Sequence, residues 1–208
     1  MNDYRGLGKF YLCKEDFNLL SEMFTFITDK IKRDTDHQCA ERIIILSETY
    51  CREKGKRKIF LQESIRNNDI FKDKNFWEEF LCYSINKHIM QTLERDKKIK
   101  ENKEETDSKF SNVVFAQLLT LIENMYKFDI DSKMVKEVLD PKISYYRLTE
   151  SCKSTIDDVI TAKEMQKAID EQEREKEQKE EEDEDENENV INEENDGWEI
   201  MDYDDNIK

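Results

Sequence analysis

Apolar residues along this chain recur mostly at steps of three and four, the spacing of one buried face of a helix. Phe17, Leu20, Phe24, Ile27 and Ile31 predict a first helix from about Glu15 to Lys32. Asp34 and Asp36 offer capping oxygens for a second helix, along which Cys39, Ile43, Leu46 and Tyr50 repeat the spacing, with Gly55 as its stop. A shorter helix is expected from Lys58 to Arg66, broken by Asn67, Asn68 and Asp69. Asn75 to Leu93 is the densest apolar stretch, with Leu81, Ile85, Ile89 and Leu93 in line and Phe76, Trp77 and Phe80 widening the face. Glu94 to Lys109 carries only Ile99 and reads as a helix fraying into a loop.

Periodicity returns over Phe110 to Phe128 and in a short helix capped by Asp131, which Pro141 should end or lie just beyond. Leu148, Cys152, Ile156, Val159 and Ile160 predict a last helix running into charged sequence. The expected fold is all-α, a compact bundle of about seven helices with no strand, followed by a disordered acidic C-terminal tail. Its divisions are a flexible N-terminus (1–10), a helical domain (11–165) and the tail (166–208), helical at its start and then disordered.

Composition sharpens this picture in two ways. Four glycines and one proline are too few for a turn-rich β fold. Charge is also unevenly placed. From Glu171 to Lys208 there are 19 acidic and 4 basic residues, a net of −15, while the preceding 170 residues are close to neutral. A nearly neutral body disfavours nucleic acid as a partner, because phosphate binding needs a cationic excess. The tail has too little apolar content to offset the entropy of ordering.

The five cysteines (Cys13, Cys39, Cys51, Cys82, Cys152) are scattered and odd in number, and MNDYRGLGKF has no apolar signal core. No run approaches the ~18 apolar residues of a membrane helix. Reduced thiols in a cytoplasmic protein, with at most peripheral membrane association, are the expectation.

Three segments together resemble a known module. They are CAERIIILSETYC, KIFLQESIRNNDIFKDKNFWEEFLCYSI and VVFAQLLTLIENMYKFDIDSKMVKEVL. Within them lie Ser47 to Cys51, the Phe76-Trp77 helix to Ile85, and the helix from Phe115 to Ile130. The pattern is similar to the helical module of the SET-binding-factor proteins, myotubularin-related pseudophosphatases with an exchange-factor-type region, and of a related family of animal proteins. The similarity covers roughly Phe10 to Ile160. This chain lacks the exchange-factor, lipid-binding and phosphatase-like regions, so those activities do not carry over. What the resemblance implies is a helical adaptor or scaffold in membrane traffic or small-GTPase regulation.

Catalytic chemistry finds little support in these residues. No nucleophile elbow, C-x-x-C pair or glycine-rich phosphate loop occurs, and RGLGKF at Gly6 and Gly8 lacks the strand such a loop would follow. His37/Cys39 and Cys82/His88 lack the paired spacing of a zinc site and read as packing residues. No catalytic, cofactor-binding or metal-ligating residue is assigned, no cofactor is expected, and the chain is not expected to be an enzyme.

Two features point to partners instead. Arg52, Lys54, Lys56, Arg57 and Lys58 make a basic surface, expected on a solvated loop, that could meet anionic lipid or the acidic tail. Trp198, with Ile200, Met201 and Tyr203, stands in acidic sequence with nothing local to bury it. An aromatic followed three residues later by an aliphatic is a strand-adding docking motif. It resembles the motif read by autophagy-type ubiquitin-like proteins, although Met201 stands where Leu, Ile or Val is usual. The functional expectation is a two-handed protein-binding adaptor. The alternative is an acidic-tail chaperone shielding basic clients such as histones.

Overall fold

The computed structural model describes the backbone of residues 9–55, 57–95 and 103–195; side chains are described for these residues except Arg33, 103–106 and 173–195. In chain order come β1 (Phe10–Tyr11), α1 (Lys14–Asp34), α2 (His37–Ser47), β2 (Tyr50–Lys54), β3 (Arg57–Phe60) and α3 (Leu61–Ile65). A 3-10 turn (Asp69–Lys72) leads into α4 (Lys74–Arg95), α5 (Lys103–Lys127), α6 (Ser132–Tyr145) and α7 (Glu150–Asn195). The seven α-helices and the core-facing residues expected from periodicity are there. None of the described helices is long and apolar enough to cross a membrane.

Local chemistry fixes the helix starts. Asp36 Oδ1 accepts from Cys39 N at 2.9 Å, and Asp131 Oδ1 from Met134 N at 2.8 Å, each satisfying an otherwise orphaned amide. Asn68, expected only as a break, caps the 3-10 turn by accepting from Ile70 N.

Three expectations need correction. First, the body contains a small sheet of order β1-β2-β3. Tyr50, read as the last apolar position of the second helix, begins β2 instead, because α2 ends at Ser47. Second, the expected third helix starts only at Leu61; Lys58, Ile59 and Phe60 belong to β3. Gly55 is not a helix stop but follows β2 in the hairpin, at φ +60, where a side chain would be strained. Third, Pro141 does not end α6 but lies inside it. Val135, Val138, Leu139 and Ile143 are all buried, so packing on both sides of the proline carries the helix through the missing hydrogen bond.

The chain divides into two units, Met1–Thr161 and Ala162–Lys208. The first holds the core. Trp77 is its anchor as expected, with no exposed surface and its Nε1 donating to Phe71 O at 2.7 Å. Phe71 and Phe128 rings meet at 4.1 Å, and Phe76 and Phe80 complete the aromatic cluster. Polar contacts then fix the packing of elements. Asn68 Nδ2 donates to Thr28 Oγ1 of α1, Ser84 of α4 to Gln117 of α5, and Lys127 pairs with Glu48 at 2.7 Å.

In the second unit the backbone is helical through Asn195, further into the acidic stretch than the expected helical start. Glu, Lys, Gln and Arg are good helix formers, which suits this outcome. Residues 196–208 lie outside the described residues.

Candidate interaction surfaces

Helix α1 has two apolar faces. Phe17, Phe24, Thr28 and Ile31 face the core and are buried. Turned about half a circle away, Leu19, Met23 and Phe26 follow one another at steps of four and three. They are 58%, 49% and 68% exposed. A helix that packs on one side only should carry polar residues on the other. Exposed Glu15, Glu22 and Lys30 flank this second stripe, giving it a charged rim. Periodicity in the sequence marks the inner face, and the outer stripe carries no separate signal because one buried stripe is enough to account for a helix.

The basic run folds as a hairpin rather than a loop. Cys51 pairs with Phe60, Arg52 with Ile59, Glu53 with Lys58 and Lys54 with Arg57. Strand geometry sends alternate side chains to opposite faces, so the four described cations do not share one surface. Arg52, Lys54 and Arg57 lie on the face turned to α1. There the Arg52 guanidinium sits 5.2 Å from the Phe17 ring centre, and Arg57 pairs with Glu63 at 2.6 Å. Lys58 is on the other face. Lys56 lies outside the described residues.

That outer face has its own construction. Tyr11, Cys51, Glu53, Lys58 and Phe60 share it by register. Lys58 reaches across β2 to lie over the Tyr11 ring at 5.1 Å, and Lys9 lies over the Phe60 ring at 4.9 Å. The contact with Tyr11 raises the Lys58 ammonium above the usual lysine range. On this face Cys51 is fully buried, although it is not part of the main apolar core. At the end of β1, where β2 runs on past it, an open cleft of about 350 Å³ is lined by Tyr11, Leu12, Cys13, Lys14, Arg52 and Glu53. Arg52 Nε is buried beside it with no hydrogen-bond partner among the described residues.

The residues weighed for zinc are used separately. His37 Nε2 lies 3.5 Å from Glu79, and its ring packs near Tyr83. His88 Nδ1 is 2.8 Å from Ser84 O within its own helix. Cys39 is partly buried, and burial raises its thiol above the usual range. Cys82 Sγ lies 3.0 Å from the Lys142 ammonium, bridging α4 and α6. Among the described residues, no three or more His, Cys, Asp or Glu side chains converge in a metal-binding group. Trp198, Ile200, Met201 and Tyr203 lie outside the described residues. Comparisons of this chain with protein-family models, curated proteins and solved structures found no match.

Proposed function

We infer that this protein is a non-catalytic adaptor whose helical body docks a partner on the outer face of α1, while the segment around Trp198 engages another. The single observation that carries the reading is the line of Leu19, Met23 and Phe26, three large apolar side chains each about half exposed or more. Such a line matches the anchors of a helix-in-groove contact, in which apolar residues one turn apart enter a partner's surface. The resemblance to the helical module of the SET-binding-factor proteins supports placing this adaptor in membrane traffic or small-GTPase regulation.

The test is affinity capture from native lysate with four baits, read by quantitative mass spectrometry. The baits are full-length protein, L19E/F26E, W198A and residues 1–170. Sedimentation of the first two at matched concentrations accompanies the capture. One partner set should be lost with L19E/F26E and kept by W198A; a second should be lost with both W198A and the truncation. A wild-type dimer that L19E/F26E makes monomeric would instead assign the stripe to self-association.

The −15 net charge within the last 38 residues favours a second reading, an acidic chaperone for basic clients. That reading takes over if only basic proteins are captured, moderate salt removes them, and neither point variant matters.

A further inference from the structure

The sheet has an outer edge whose hydrogen-bonding groups can be placed from the contacts of its inner edge. Phe10 N donates to Thr49 O at 3.0 Å, and Leu12 N donates to Cys51 O at 2.8 Å. The N–H and C=O of one strand residue share a side, and the next residue's pair points to the other. Cys51 and Glu53 therefore aim their main chain toward β1, and Arg52 and Lys54 toward β3. Arg52 pairs with Ile59 and Lys54 with Arg57, so the main-chain groups of Ile59 and Arg57 point inward. Those of Lys58 and Phe60 point outward, away from the sheet. The assignment is consistent with Phe60 N, which donates to Glu63 Oε1 at 3.3 Å, closing one end of the edge. Lys58 keeps an outward N–H and C=O, with no main-chain partner among the described residues.

The charge around this edge has one sign in excess. Counting the described residues of β2 and β3, Arg52, Lys54, Arg57 and Lys58 stand against Glu53 alone. Lys9 adds another cation on the outer face. Lysine on an edge strand is a common guard against pairing with other strands. Its protection is selective, however. Cations repel a basic or neutral apolar strand by charge and desolvation, and they favour one that brings carboxylates.

We propose that the open edge of β3 docks an extended, acidic segment of a partner protein, which adds as a fourth strand beside Lys58. Main-chain hydrogen bonds to Lys58 supply the pairing. Carboxylates on one face of the added strand meet Lys58 and Lys9, and those on the other meet Lys54 and Arg57 at the hairpin tip. A polynucleotide fits less well. Glu53 and Glu63 lie within the patch, and a lysine ammonium already sits against each of the Tyr11 and Phe60 rings. A lipid headgroup would use the charge but leave the main-chain edge unpaired. This surface is distinct from the stripe on α1, since Phe17, on the opposite face of that helix, is the residue that meets Arg52.

The experiment uses the full chain and a fluorescein-labelled octapeptide in which pairs of glutamates alternate with pairs of valines, which places glutamate on both faces of a strand, titrated by fluorescence anisotropy at physiological salt. A second peptide of identical sequence carries N-methyl groups on alternate amides, which removes strand donors and keeps every charge. The wild type should bind the first peptide and bind the second about tenfold more weakly, the scale expected for lost main-chain hydrogen bonds. K54Q/K58Q, with near-ultraviolet circular dichroism confirming its fold, should also weaken binding, and L19E/F26E should not. The proposal is overturned if both peptides bind alike or neither binds. It is overturned equally if phosphatidylserine vesicles or single-stranded oligouridylate bind more tightly than the peptide.

Discussion

Trp77 has no exposed surface, and its indole N–H reaches the Phe71 carbonyl, so one side chain closes both an apolar and a polar requirement. Large aromatic residues contribute most when ring packing and hydrogen bonding agree. Trp77→Ala should cost roughly 3–5 kcal/mol, because it opens a cavity among Phe71, Phe76, Phe80 and Phe128. Trp77→Phe should cost less, since it keeps most of the volume and strands only the Phe71 carbonyl. Urea unfolding followed by circular dichroism measures both; a loss under about 1 kcal/mol for the alanine variant would remove Trp77 as anchor. This residue was legible in the sequence, because a tryptophan inside a dense apolar helix face has few places to go but inward. Cys51 was not. It lies on the central strand, paired with Tyr11 forty residues earlier as well as with Phe60, so its burial rests on a segment that the local sequence does not reveal.

Among the elements, α6 is the informative case. A proline within a helix lacks its N–H and crowds the carbonyl four residues back, a penalty of about 3 kcal/mol relative to alanine. Pro141 nevertheless lies within Ser132–Tyr145, with Leu139 before it and Ile143 after it both buried. Burial on either side outweighs the local preference for stopping. Pro141→Ala should therefore raise stability by about 1–3 kcal/mol, part of the gain being offset by a freer unfolded chain. A lower thermal midpoint for that variant would instead give the pyrrolidine ring a packing role. The short strands escaped the sequence reading for a related reason. At two to five residues, period-two alternation and helical spacing cannot be told apart. Tyr50 satisfied the helical spacing from Cys39 while its backbone was claimed by Phe10, forty residues earlier.

For the whole molecule, charge and core are carried by different parts of the chain. Among the described residues the last buried apolar side chain is Ile160, and the net charge of −15 begins after Asp170. A body near neutrality lacks the self-repulsion that keeps proteins apart. Residues 1–170 should therefore unfold at the same urea midpoint as the full chain but precipitate at lower protein concentration near neutral pH. A lowered midpoint would show that the acidic region supports the fold directly.

The sequence alone determined that there are seven helices, two of their caps, the aromatic anchor and the confinement of charge to one end, since each rests on interactions within a few residues or on composition. Asp36 and Asp131 cap where spacing placed them, because a capping oxygen needs only the amides two or three positions on. Tertiary structure decided the rest. It formed the β-hairpin, buried Cys51, carried α6 through Pro141 and left Leu19, Met23 and Phe26 outside the core. Each of these depends on which distant segment arrives at a given face, and an apolar residue looks the same in sequence whether or not a neighbour covers it.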